Sequence, residues 1–566
     1  MAGHVFITHS DITELYCDSW LMSCDVVPHV SRWFYRQIAK RGLYPGLAEV
    51  LHDLEDHKLP RPPGWSHHDG TRVISLLSWH NALSGRAKPP IPYLVNVGGI
   101  GEEKPEWYAE GARQFCVKAR EELNDENRLT KKRSKPLVAL PFVGVRGGRG
   151  GERRGAILRA LLLQLDQCAR ECDIDIALVL SSRGSFIAAE KVRRELTGEM
   201  AQSTAWPELS QELRKSADDL ANHARNESLV LFLGSGVSIG AGLPSWGELL
   251  ASLAADAGFT PLEIEAIKKL HLLDQAAIIE HRIALGAPDG DAILGEKVAN
   301  LLDFHFHSLS HSLLAGLPVR EAVTLNYDRL FEQACDAQKD PESEPIAVLP
   351  YKPARNARRW LLKLHGCVDH PEDIVLTRED YLRYTDRRAA LFGLVQGLLM
   401  TRHMLFVGFG LKDDNFHRIV DDVRKAMGPH KNQTSNPEDR LGTAIVFSSD
   451  DLHKTLFEGE LDFVDLHVGE EKGFEKRARL LEIFLDYLLS EASKAPPPLL
   501  NPTFDAVLTD EEKKLRELLL PLQDQAFTVK KSSPVWEPIR QLLRSYGARP
   551  EKAGADQIRA RNTQSR

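Results

Sequence analysis

Four short stretches of this 566-residue chain, all beyond residue 227, gather residue types that bind phosphates and move protons. The first, SLVLFLGSGVSIGAGLPSW, sets an apolar run against Gly234, Ser235, Gly236, Ser238, Gly240 and Gly242, followed by Pro244 and Trp246. Glycine in such a loop lets backbone N–H groups approach a pyrophosphate without side-chain obstruction. The Gly234-x-Gly236-x-x-x-Gly240 spacing is not the G-x-G-x-x-G fingerprint, and a plain tight turn would also want glycine. The other stretches are TLNYDRLFE with Asn326 and Asp328, KLHGCVDHPEDIVLTREDY with His365, and LFVGFGLKDDNF with Gly408, Gly410, Asp413, Asp414 and Asn415. Asp328 is expected to fix a turn or to hydrogen-bond near a ligand rather than act as a base. Helix capping explains Asp413 to Asn415 as well as ligand contact does. Asp303, His307 and His311 stand at four-residue helical spacing, which suits a metal, but no fourth ligand is evident. They are read as residues of an amphipathic helix, and no metal is assigned.

These stretches need a scaffold that brings them to one place. Apolar runs at Leu229 to Leu233, Ala322 to Leu325, Trp360 to Leu364, Met404 to Gly408 and Thr443 to Phe447 read as buried strands of a parallel sheet. Each of the first four ends at one of the chemical stretches. Open α/β sheets bind ligands outside the carboxyl ends of their strands, so four convergent ends say more than one glycine loop. Ser245 and Glu248 have capping-box spacing, and Trp246, Leu249, Leu250, Leu253, Ala254 and Ala257 make the apolar face of the helix that follows.

In order, Gly-Ser-Gly-x-Ser-x-Gly-Ala-Gly-Leu-Pro, Asn-Tyr-Asp, Leu-His-Gly and Gly-Phe-Gly-Leu resemble the motifs of the sirtuin superfamily, particularly the bacterial sirtuin-like domains that hydrolyse NAD in antiphage defence. The resemblance covers about 260 residues. It implies a Rossmann-like parallel-sheet domain, Asn326 and His365 as catalytic residues, and NAD bound by Gly234, Ser235, Gly236, Ser238, Gly240, Pro244, Trp246, Asp328, Gly408 and Gly410. The amide would position the attacking group and the nicotinamide ribose, and the imidazole would contact the ribose hydroxyls or relay a proton. Cleaving the nicotinamide bond expels a cation as a neutral group, so an oriented nucleophile and a stabilised oxocarbenium-like centre matter more than a strong acid. A histidine titrating near neutrality suits the proton traffic. Protein-deacylating sirtuins carry a four-cysteine zinc module, whereas only Cys335 and Cys367 fall within the region here, and Leu325 replaces a polar residue before the catalytic Asn. No zinc is expected, and water is the expected acceptor, giving nicotinamide and ADP-ribose. A non-catalytic sensor of NAD or ADP-ribose and an NAD-dependent deacylase are the alternatives.

Residues 1 to 200 alternate strand and helix: His4 to Thr8, Tyr93 to Val97, Pro136 to Val143 and Ile174 to Leu180, with Ile157, Leu161, Leu165, Cys168 and Cys172 on one helical face. Gly144, Gly147, Gly148, Gly150 and Gly151 open that helix, and Arg146, Arg149, Arg153 and Arg154 add positive charge, a pattern suited to phosphate. HVFITHSDITELYCDSWLMSCD and the glycine loop resemble a macro domain, which implies ADP-ribose-type binding with Asp11 at the adenine. Asp25 stands where hydrolytic macro domains have Asn, and no Gly-Gly-Gly loop follows. Sensing an ADP-ribose-derived signal, or scaffolding, fits better than hydrolysis.

The fold class is therefore α/β: a macro-like domain over 1–200, a polar linking helix over 201–226, the sirtuin-like domain over 227–490, and a helical extension with a disordered tail over 491–566. Hydrophobic residues at 43% and charged ones at 27% are those of a globular chain, and a net charge of −8 gives no footprint for nucleic acid or an anionic membrane. The start MAGHVFITHS does not read as a signal peptide, and the longest apolar run, Ala389 to Met400, is too short to span a bilayer. Seven cysteines without a C-x-x-C pair argue against a disulfide framework and a cysteine zinc site. A cytoplasmic protein is expected, assembled as a homo-oligomer and held inactive until signalled.

Overall fold

The computed structural model describes residues 2–26, 28–40, 42–56, 65, 70–84, 88–98, 104–145, 150–199, 205–286, 293–338, 345–427, 440–447, 452–466, 473–528 and 534–548. The first section forms a six-stranded sheet from β1 (Val5–His9), β2 (Ser19–Cys24), β3 (Val73–Ser75), β4 (Ile91–Asn96), β5 (Leu137–Pro141) and β6 (Asp175–Leu180). Its order is β1-β6-β5-β2-β4-β3, parallel throughout except for the β3 edge. The helices α1 (Pro105–Glu122), α2 (Arg154–Cys172) and α3 (Arg183–Glu199) cover it. Ile157, Leu161, Leu165 and Cys168 are buried, as their spacing requires, while Cys172 is only half-buried.

The expected linking helix is α4 (Gln211–Arg225), capped by the Ser210 side chain on Leu213 N. Its polar composition conceals an apolar stripe, Ala217, Leu220, Ala221 and Ala224, that is fully buried. The second sheet follows: β7 (Leu229–Leu233), β8 (Glu321–Thr324), β9 (Ala347–Leu349), β10 (Trp360–Lys363), β11 (His403–Val407), β12 (Gly442–Val446) and β13 (Leu461–Asp465). All are parallel, in the order β13-β12-β11-β7-β8-β10-β9. The chain thus builds outwards from β7 in both directions, and the reversal puts a crevice at the carboxyl ends of β7, β8, β10 and β11. Strands β3, β9 and β13 were not expected: β3 and β9 have three residues each, and β13 (LDFVD) carries acidic residues.

Period-two alternation decides where the core lies. Leu229, Leu231, Leu233, Leu405 and Val407 face a buried cluster that extends without a break into the first sheet, whereas Val230, Phe232, Met404 and Phe406 join a second cluster on the opposite face. A third cluster joins α5 (Trp246–Asp256) to Leu243, Ile279, Val298, Tyr327 and Leu376. Farther along run α6 (Leu309–Gly316), α7 (Leu330–Ala337), α8 (Arg378–Thr401), α9 (Asp414–Met427) and α10 (Phe474–Ala492). Helix α10 lies between the sheets and carries buried charge into the first: Arg479 Nη2 bonds Asp175 Oδ1 at 2.8 Å. Asp486 accepts from Arg193 Nη1 at 2.8 Å, from Trp206 Nε1 at 2.7 Å and from the peptide N–H of Ile7 at 3.3 Å, and its Oδ2 lies 3.0 Å from His4 Nε2. Burial raises the Asp486 carboxyl, but Arg193 and His4 outweigh it and hold it below the usual range. Beyond α10, within the expected helical extension, one helix spans Asp510–Thr528, past Pro521, and a further helix spans Glu537–Ser545. The run from 551 to 566 lies outside the described residues.

Candidate active site

The β7 loop owes its glycines to a neighbouring loop. A Cβ on Gly234 would stand 2.4 Å from Gly408 O, and one on Gly236 2.7 Å from Gly408 Cα. Gly408 has φ +64°, and a Cβ there would meet Val237 N at 2.5 Å. The loops after β7 and β11 interlock, with Gly234 N donating to Val407 O and Gly236 N to Gly408 O, both at 3.0 Å. The N–H groups of Val237 and Ser238 turn back to Gly234 O and Ser235 O in the one-turn helix Gly236–Ile239. Gly236 is packed against Gly408, and a Cβ on Gly240 would meet Ser308 Cβ at 3.3 Å. Neither lines the cleft.

That cleft, about 710 Å³ at the carboxyl edge of the second sheet, is lined by the other expected residues: Gly234, Ser235, Ser238, Pro244, Trp246, Asn326, Asp328, His365, Gly408 and Gly410. Lys268, His271, Tyr381, Lys412, Asp413 and Asp414 complete its polar wall.

Asn326 sits immediately beyond β8. Its Nδ2 donates to Gly234 O at 3.1 Å and to Ser238 Oγ at 3.2 Å, so both amide hydrogens are used and Oδ1 is the atom left to act in the cleft. Ser238 Oγ in turn donates to Asp328 Oδ2 at 2.8 Å, while Asp328 Oδ1 accepts Leu330 N at the start of α7 at 3.0 Å. Asp328 is thereby a bracing residue, buried to 7 % exposure. Beneath the turn, the buried Lys363 Nζ donates to Tyr327 O at 3.2 Å and to Asp328 O, and pairs with Glu332 at 2.8 Å. Burial lowers the Lys363 pKa, but the Glu332 carboxylate more than reverses this, so a cation persists under the Asn326 turn.

His365, 2 % exposed, packs edge-on against Tyr381 with ring centroids 5.2 Å apart. Its Nδ1 is 3.5 Å from Tyr381 Oη, and its Nε2 is 3.5 Å from Asn415 Nδ2 and 3.8 Å from Asp413 Oδ2. Tyr381 donates to Asp413 Oδ2 at 2.8 Å. Burial pushes the His365 pKa below its ordinary value; Asp413 opposes this and Arg388 adds to it. The imidazole therefore titrates lower than its residue type alone suggested, which favours its neutral form. Tyr381 had no role in the sequence reading; its place five residues past Leu376 gives no signal until α8 folds back over the sheet.

In the first sheet, a cavity of about 210 Å³ opens at the strands' carboxyl ends, lined by Ser10, Cys24, Asp25, Val97, Pro141 and Ser181, among others. Asp11 is not in its lining: its Oδ1 accepts Thr13 N at 3.0 Å and Thr13 Oγ1 at 2.7 Å, capping the turn Ile12–Glu14. Gly144, φ +84°, is required by the Tyr108 ring, which a Cβ would meet at 2.3 Å. Gly150 and Gly151 begin the turn Gly150–Arg153. Gly147 and Gly148, with Arg146 and Arg149, lie outside the described residues.

The helical spacing of Asp303, His307 and His311 is also corrected. α6 begins only at Leu309, His307 bridges Leu15 of the first section, and His311 Nδ1 is 2.8 Å from Ser308 Oγ. Among the described residues no three His, Cys, Asp or Glu side chains are grouped to hold a metal, and no helix is long and apolar enough to cross a membrane.

Residues 320–459, from β8 through the end of β12 and beyond, match the model of a SIR2-like domain. An NAD(+) hydrolase ThsA of Enterococcus faecium is 31% identical over 255 residues, covering 45% of this chain and 49% of that protein. The NAD(+) hydrolase ThsA of Bacillus cereus (strain MSX-D12) is 29% identical over 209 residues, 37% of this chain and 42% of the relative. The Defense-associated sirtuin 2 of Bacillus subtilis is 24% identical over 212 residues, 37% of this chain and 20% of the relative. The chain spans about half the length of the curated relatives it matches, or less. The SIR2-like match begins at the strand that delivers Asn326 and includes His365, Tyr381, Gly408 and Asp413.

Proposed function

We propose that this chain cleaves the nicotinamide–ribose bond of NAD with water as acceptor, releasing nicotinamide and ADP-ribose. The observation that carries this reading is the hydrogen bonding of Asn326, which spends both amide hydrogens on the protein and keeps Oδ1 for the cleft. A carbonyl oxygen so fixed can accept a hydrogen bond from an attacking water or a ribose hydroxyl, and it costs no reorganisation at the moment of reaction. As the water oxygen bonds to the ribose carbon, the glycosidic bond breaks with its electron pair on nicotinamide. The proton shed by water passes to the neutral imidazole of His365. The Tyr381–Asp413 pair beside that ring orients it and stabilises the imidazolium. Similarity to proteins named NAD(+) hydrolase supports the reaction, and the name of the Bacillus subtilis relative supports a defence role in which NAD is depleted.

On this reading the first sheet, a macro-like domain, receives an ADP-ribose-derived signal in the cavity beside Asp25, within a cytoplasmic homo-oligomer. A ligand shifts such a protein only by its preference for the active state, ~5.5 kcal/mol for a switch from 1:99 to 99:1. The test is nicotinamide release from NAD by the purified chain, with linear and cyclic ADP-ribose added in turn, and with and without an acylated peptide. Release independent of the peptide and abolished in Asn326→Ala and His365→Ala is expected. Dependence on the peptide would make the chain a deacylase, and binding without turnover under every addition would make it a sensor.

A further inference from the structure

His311 belongs to no part of the reaction just described, yet it is 1 % exposed and reaches the site from behind. It sits in the first turn of α6, where Ser308 caps the helix and the ring returns to the Ser308 peptide N–H. That peptide N–H can only donate, at 3.3 Å to Nδ1, and the Ser308 hydroxyl stands 2.8 Å from the same nitrogen. Nδ1 is therefore an acceptor, and the hydrogen-bond pattern assigns the ring proton to Nε2. Burial drives the pKa of this imidazole down to about 3, so it stays neutral.

The Nε2–H points at Ser238 Oγ, 3.4 Å away. A hydroxyl has one proton to give and two lone pairs to fill. Ser238 gives its proton to Asp328 Oδ2 and accepts from Asn326 Nδ2 at 3.2 Å, and the His311 N–H takes the remaining lone pair. With all three valences filled, the hydroxyl cannot rotate away from Asn326. Without the imidazole N–H the hydroxyl has one acceptor site unfilled in a buried position, and its orientation, with that of the Asn326 amide, is less well fixed.

We propose that His311 is a positioning residue for the reaction: its Nε2–H locks the Ser238 hydroxyl, and through it aims the Asn326 carboxamide into the cleft. The inference rests on the NAD-cleavage reading for its kinetic consequence but not for its geometry. It assigns to this histidine a role that no motif in the sequence marks.

The experiment compares His311→Phe, which keeps a planar ring but loses the N–H, with His311→Gln, whose amide can again donate to Ser238. Nicotinamide release should show kcat reduced about 10-fold in H311F with KM within twofold of the parent, and kcat restored to within about threefold in H311Q, at similar melting temperatures. Parental kcat in folded H311F, or an equal loss in both variants, overturns the proposal. A second measurement needs no turnover: in the parent chain labelled with ¹⁵N-histidine, the resonance that disappears in H311Q must be a neutral ring with its proton on Nε2. A proton on Nδ1, or a doubly protonated ring at pH 7, overturns the proposal even if H311F does not fold. A parent that releases no nicotinamide while showing the Nε2–H signal refutes the reaction and leaves the positioning geometry standing.

Discussion

Asn326→Asp is nearly the same shape as the parent side chain, but it offers no N–H to Gly234 O or Ser238 Oγ and sets a second carboxylate beside Asp328. We expect kcat to fall by about 10²-fold or more, because the positioning contacts are lost, and the melting temperature to fall as well, because a carboxylate oxygen then faces the Gly234 carbonyl. Nicotinamide release paired with a thermal melt checks it. His365 gives a prediction with a sign. Burial lowers its pKa, so the neutral, proton-accepting form predominates at the ordinary histidine value of about 6.5 and is lost below it. The acid limb of the kcat profile should therefore lie below pH 6.5, and a midpoint above 6.5 would contradict a neutral buried base.

At the scale of elements, the interlocked loops after β7 and β11 set the floor of the cleft. Gly236→Ala places a methyl 2.7 Å from Gly408 Cα, backbone against backbone, and neither strand end can retreat without losing the Gly236 N to Gly408 O bond. A destabilisation of roughly 1–3 kcal/mol in urea unfolding is expected, with any loss of NAD affinity secondary to it. A Gly236→Ala protein of parental stability but weaker NAD binding would return this glycine to direct ligand contact. The strands that place Asn326, His365 and Gly408 were legible in the sequence because buried parallel strands are short, predominantly apolar runs, each followed here by polar or glycine-rich residues. β13 was not, because its acidic residues break the run, and β9 is too short to show one. The histidines of LLDFHFHSLSHSLL misled for a related reason: four-residue spacing implies one helix face only if the helix is continuous, and here it starts at Leu309.

For the molecule as a whole, α10 makes the two sheets one object. Asp486→Ala would leave Arg193 and His4 buried without their shared carboxylate, although Arg193 keeps Glu190, and the expected cost is about 3–5 kcal/mol. Urea unfolding should show one transition shifted as a unit, and loss of a separate first transition alone would mean that the sheets fold independently. Acid acts on the whole chain too. His311 is lowered to about 3 and His403 to about 4, both chiefly by burial, so the unfolded chain binds more protons between these values and about 6.5. Stability from these groups is complete above pH 6.5 and falls as pH drops through that window. His311 alone accounts for roughly 3 kcal/mol by pH 4.5, and H311Q should flatten the slope of melting temperature against pH there.

The sequence by itself determined the α/β class and the strands of the second sheet that end at chemical residues, while Asn326 and His365 stood out only through the resemblance to the sirtuin superfamily. The class and the strands follow from local apolar runs and from residue types, which need no knowledge of distant neighbours. Only the tertiary structure decided which atoms are free to act. It used up the N–H groups of Gly234 and Gly236 on the β11 loop, turned Asp11 onto its own helical turn, lowered the His365 pKa by burial, and placed His311 behind Ser238. Each of these depends on what packs against a group from elsewhere in the chain, and hydrogen-bond valence and desolvation are properties of that neighbourhood rather than of the residue.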